Sequence, residues 1–194
     1  AFSGRRAAVP RSGAGFGGMF VIEATDDSLS TWTQRAFLGG LGPPFALEGE
    51  TLVASRSKNS PQESRSVLVV FERAASLPHN WVEVAELPLP DASATPFFRN
   101  VALRGGLIFV GDPYQGIQAP YRPGRILVYA RATTGSSWSL LGTIGAATPE
   151  AGDQFGASMG VAGRHVVASA PSANGHELYS GRLPGAEATL IDDD

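Results

Sequence analysis

The sequence predicts an all-β protein assembled from repeated four-stranded antiparallel units, and three observations carry that reading. Glycine and proline supply 24 and 14 of the 194 residues, a turn-rich composition, while 43% of the chain is apolar, too much for disorder. Three tryptophans, Trp32, Trp81 and Trp138, each open an alternating segment with an aliphatic residue six positions on, at Leu38, Leu87 and Ile144. A second kind of strand pair starts at 41, 97 and 155, spacings of 56 and 58 that Leu52, Ile108 and Val166 reproduce. No stretch of useful length repeats every 3.6 residues, so little or no helix is expected.

Taken in order, residues 1–17 show no strand pattern and are expected to form a flexible lead-in, and 18–191 read as the repeated units. A strand at 20–24, a polar turn and the Trp32 strand make the first hairpin. A strand pair at 41–57 follows, with a tight turn at Gly49. The second hairpin joins 67–73 to the Trp81 strand, and the next pair turns at Gly105-Gly106 within 97–113. The third hairpin joins 126–131 to the Trp138 strand; a pair at 155–171 turning at Gly163, a weak remnant at 176–191 and an acidic tail at 192–194 end the chain. With Ile22, Phe71 and Tyr129 taken as equivalent, the Trp follows 10, 10 and 9 residues later. Even spacing puts each Trp and its aliphatic partner on one strand face, and the small Ala36, Ala85 and Gly142 between them imply a sheet approaching closely. The continuously apolar middle strands imply cover on both faces.

Four strands per period is the signature of a propeller blade or a comparable all-β array. The expectation is a partial or open β-propeller of roughly three four-stranded antiparallel blades. Closed propellers need at least about 4 blades, so the expectation is that other protein subunits or a second copy cover the exposed faces and strand edges, or that the chain is part of a longer one. The segment from Gly152 to Pro171, with Phe155-Gly156 followed by Ser169-Ala170-Pro171, resembles an FG-GAP repeat, and the Trp hairpins resemble the other half of its calcium-free variety. In the earlier units Leu41-Gly42 and Phe97-Phe98 stand in for Phe-Gly. The resemblance implies a β-propeller of the kind in integrin α-subunit heads and in many surface or secreted proteins, used mainly for binding. It therefore implies an extracytoplasmic location (secreted, cell surface or organelle lumen), and it names no ligand.

Composition removes several function classes. A net charge of −3 gives no general attraction to nucleic acid or anionic membranes. Apolar runs reach four or five residues, at 107–110 and 67–71, far below the roughly 18 of a spanning helix. The absence of cysteine removes disulfides, thiolate metal sites and cysteine nucleophiles. A start at Ala1 without a leader pattern reads as a mature or trimmed chain.

Local motifs are weighed by context. Gly13, Gly15 and Gly18 match the dinucleotide pattern G-x-G-x-x-G, yet a strand follows where a helix is required, so no cofactor is expected. Ser158 sits in a G-x-S-x-G match, but strand register surrounds it in place of a strand-to-helix elbow, so hydrolysis ranks last. The turns of the strand pairs lack the carboxylate series of a calcium loop, and His79, His165 and His176 have no metal spacing. Asp26-Asp27 reads as solvated charge, as do Arg5, Arg6 and Arg11 near the start of the chain. Asn59 is followed by Ser60-Pro61, which blocks N-glycosylation. The long loop at 114–124 has the composition of a contact surface, with Tyr114, Gln115, Ile117, Tyr121 and Arg122 as candidate binding residues. The expected function is a non-enzymatic protein-interaction or scaffold module, an accessory subunit of a larger assembly. The alternative is a glycan- or matrix-binding adhesion module acting through that loop.

Overall fold

The computed structural model describes residues 2–11, 17–60, 63–74, 80–90, 98–114, 122–131, 137–162, 165–172, 175–182 and 189–190. Every regular element among them is a β-strand. The strands form four four-stranded antiparallel sheets, each made of consecutive strands in meander order. The expected three-and-a-remnant thus become four, because the lead-in and the weak C-terminal segment both supply strands.

The chain divides into two compact units, residues 1–86 and 87–194. In the first unit, β1 (Phe2–Ser3), β2 (Arg6–Arg11), β3 (Gly18–Ala24) and β4 (Trp32–Gly39) make the first sheet. The second sheet is β5 (Leu41–Glu48), β6 (Thr51–Ser60), β7 (Glu63–Arg73) and β8 (Trp81–Glu86). In the second unit, β9 (Asn100–Arg104), β10 (Leu107–Asp112), β11 (Arg125–Ala130) and β12 (Ser139–Ile144) make the third sheet. The fourth is β13 (Ser158–Ala162), β14 (His165–Ser172), β15 (Gly175–Arg182) and β16 (Thr189–Leu190).

The expected flexible lead-in is corrected at residues 2–11, which pair as β1 and β2. Pro10 disguises β2, since proline breaks a ladder from within. It is tolerated because β1 pairs only with Arg6 and Ala7, leaving Pro10 bonded on one side alone, opposite Met19. Two expected turns appear as read: Gly49 at φ 57° closes β5 onto β6, and Gly105 and Gly106, both at positive φ, close β9 onto β10. The Gly163 turn and the acidic tail lie outside the described residues.

All three Trp hairpins carry a β-bulge at one equivalent place, between Val21 and Ile22, Val70 and Phe71, and Val128 and Tyr129. Across it the partner strand runs from Gln34 to Ala36, Glu83 to Ala85 and Leu140 to Gly142, leaving Arg35, Val84 and Leu141 as the extra residue. An extra residue reverses face parity. Trp32 therefore shares a face with Ile22, and Leu38 lies on the opposite face with Met19, which corrects the expectation that Trp and its aliphatic partner share one face. The close approach expected at the small residues is not made at Gly142, where a Cβ would meet nothing within 4 Å, while Ala36 packs against the core shared with the second sheet. The small residues sit beside the bulge.

Register fixes two faces for every sheet, and both units use them alike. The face with Ala8, Met19, Val21 and Ala36 of the first sheet packs on the face with Leu52, Ala54, Val69 and Phe71 of the second. The face with Phe109, Ile126, Val128 and Ile144 of the third sheet packs on the face with Val166, Ala168 and Ala170 of the fourth. In bulge terms, the donor face carries Val21 or Val128 and the receiver face carries the Phe71 position. Burial of these apolar side chains, at roughly 25 cal/mol per Å², is the main source of stability in a chain without disulfides.

Candidate functional site

The expected contact loop is visible only at its margins. Tyr114 is half-buried and Arg122 exposed, while Gln115, Ile117 and Tyr121 lie outside the described residues, as does His79. Ser158 lies on β13 as an exposed strand residue, its backbone N–H donating to Ser169 Oγ at 3.1 Å, so it has no elbow to present it as a nucleophile. His165 is an exposed residue of β14. Among the described residues no three His, Asp or Glu side chains gather as a metal site, and no helix is long and apolar enough to cross a membrane.

The lead-in arginines are tied into the first unit. Arg5 pairs with Asp27 at 2.6 Å, and Arg6 bridges Glu23 and Glu50 at 3.3 and 2.9 Å. Asp26 caps its own turn, accepting from the Ser30 hydroxyl and backbone N–H at 2.9 and 3.0 Å. Those bonds hold its carboxyl well below the usual range. The turn also sets Trp32, whose Nε1 donates to the Leu29 carbonyl at 2.9 Å.

What the structure adds is the receiver face of the first sheet. Val9, Phe20 and Phe37 lie side by side across β2, β3 and β4, flanked by Ile22 and Trp32. The Phe20 and Phe37 rings stand 5.1 Å apart, and the Arg11 guanidinium lies 5.7 Å from the Phe37 centroid. Gly18 has a structural task here in place of a dinucleotide: a Cβ on it would come within 2.5 Å of the Phe37 ring that lies over it. In the other three sheets the positions matching Val9 are Ala54, Val110 and Ala168, exposed by 0, 0 and 2%; Val9 is 39% exposed and Phe37 42%.

A sequence signal for this face existed. Five residues after the Trp, the second and third hairpins carry the polar Glu86 and Thr143, and the first carries Phe37. It was missed because face assignment needs the bulge, and β2 hides behind Pro10.

A second feature of the first unit is a pocket of about 590 Å³ lined by Gly17, Gly40, Gly42, Ser55, Ser57 and Ser66. Leu41 and Pro43 complete the lining, which is uncharged and combines main chain and hydroxyls with apolar side chains. The corresponding junction of the second unit is filled: Phe155 is buried, its N–H donating to the Pro123 carbonyl at 2.9 Å, and Asn100 Nδ2 donates to the Gly156 and Ala157 carbonyls at 3.0 and 2.9 Å.

Repeated four-stranded antiparallel sheets packed donor face on receiver face define a partial β-propeller. Among solved structures the chain is similar to TolB from Acinetobacter baumannii, a β-propeller protein, with a TM-score of 0.59 at 8% identity, covering 98% of this chain and 42% of that one. The chain thus spans less than half the length of that structure, and the likeness concerns fold alone. No family model matches the sequence, and no curated protein is similar to it in sequence.

Proposed function

We propose that this protein is a non-enzymatic protein-interaction module built of FG-GAP-like blades, an accessory subunit whose unpartnered blade face is completed by another protein in an extracytoplasmic assembly. The observation that carries the reading is the apolar face of Val9, Phe20 and Phe37, on which Val9 is exposed where the matching Ala54, Val110 and Ala168 of the other sheets are buried. A contiguous apolar face framed by one arginine is suited to a dry protein contact and poorly suited to nucleic acid or anionic lipid. The test is the native mass of the protein in extract of its source, by size exclusion with light scattering, against a chain mass of 20.2 kDa. A particle heavier than one chain that Phe37→Asp returns to the monomer mass supports the reading. A particle of monomer mass in the extract overturns it and favours glycan or matrix binding through the 114–124 loop.

A further inference from the structure

The register equivalences single out a second uncovered face. On donor faces, the positions matching Val167 are Ala8, Val53 and Phe109, exposed by 2, 0 and 0%, while Val167 of the fourth sheet is 38% exposed. Among the described residues, exposure at these positions singles out the receiver face of the first sheet, at Val9, and the donor face of the last, at Val167. These are the two halves of the contact that each unit already makes internally.

We infer that the receiver face of one copy docks the donor face of a second copy, so that the protein assembles head to tail with itself. The inference rests on the interaction-module reading and names its partner. Size complementarity supports it. The receiver face in the first unit presents Phe71 and Trp81 to a donor face that carries the small Ala8 and Ala36 beside Met19 and Val21. The uncovered receiver face likewise presents large side chains, Phe20, Phe37 and Trp32. The uncovered donor face offers the small Ser158 and Gly160 beside Val167 and Ser169. Two aromatic faces meeting each other would lack this match of large against small. A contact between two different faces is heterologous, so every copy uses both.

The purified chain alone tests this by light scattering. The wild type is expected at twice the monomer mass or a higher multiple, and Phe37→Asp and Val167→Asp each at the monomer mass with unchanged far-ultraviolet circular dichroism. Each variant keeps the face that the other has lost, so an equimolar mixture should recover a complex of twice the monomer mass through one intact contact. Val9→Asp and Ser158→Arg repeat the experiment on neighbouring positions should either first variant misfold. A monomeric wild type overturns the inference, as does a Val167→Asp protein with wild-type mass, which would mean a face pairing with itself, or a mixture that stays monomeric. A monomeric purified chain together with a heavy particle in the source extract overturns self-assembly alone and leaves the interaction-module reading standing.

Discussion

The two units share one packing scheme and differ at the junction where one sheet hands over to the next. In the second unit, Phe155 is buried, Gly156 at φ 84° donates its N–H to the Ser169 carbonyl at 3.0 Å, and Asn100 bonds both carbonyls that follow. Gly111 permits this closeness: a Cβ there would stand 2.3 Å from the Gly156 oxygen. In the first unit Leu41-Gly42 takes the same place, Leu41 is still buried, and beside it the 590 Å³ pocket remains open. The hydrophobic half of the motif is thus retained in both, while the close backbone approach is made once. What a glycine of the repeat contributes depends on what crowds it.

Substitution at matched glycines should separate the units most sharply. Gly111→Ala forces a side chain into backbone that cannot move aside, and Gly156→Ala adds a positive φ to a 2.8 Å approach on the Arg125 carbonyl. Each is expected to cost about 3 kcal/mol or more, seen as a lower urea midpoint. Gly42→Ala, at the matching position of the first unit, meets nothing within 4 Å and should change stability by less than about 1 kcal/mol. Equal losses at Gly42 and Gly156 would break the distinction.

A smaller difference is expected from the polar plug. Asn100→Ala removes both bonds to the Gly156 and Ala157 carbonyls and should destabilise by about 1–3 kcal/mol. Ser57→Ala, in the wall of the first unit's pocket, removes an exposed hydroxyl and should stay within about 0.5 kcal/mol. Paired urea titrations check the two, and a Ser57 loss matching that of Asn100 would show that the pocket wall is as tightly held as the plug.

Much of this fold was legible because its strongest signals are local. Gly49 and Gly105-Gly106 turn where their freedom at positive φ is needed. Leu52, Ile108 and Val166 fall on the second strand of three sheets, with partners Phe71, Tyr129 and Gly181 at matching register positions. What escaped depends on pairing between distant segments. The bulge beside Ile22, Phe71 and Tyr129 reverses side-chain parity without any residue type that announces it. Ala7 completes the series with Ile22, but its strand holds Pro10 and only two small apolar residues before Val9. The candidate face escaped for both reasons together, since assigning Phe37 to the same side as Val9 requires the bulge and the strand at once.

Acid offers a finer way to act on the first unit, through the turn that sets Trp32 on the receiver face. The Asp26 carboxylate is held below its ordinary value of 3.8 chiefly by the Ser30 hydroxyl, then by the Ser30 backbone N–H. A carboxyl depressed in the folded state contributes stability that is fully present above the unfolded value and is lost as pH falls from there through the folded one. The β3–β4 turn should therefore keep its full contribution at neutral pH and weaken only below about pH 4. Observed by carboxyl-carbon NMR, Asp26 should titrate below 3.8, and Ser30→Ala should bring its midpoint back toward that value. A midpoint at or above 3.8 in the unaltered protein would mean that these hydrogen bonds do not hold the charged form, and that Trp32 owes its placement to the Leu29 carbonyl and the sheet alone.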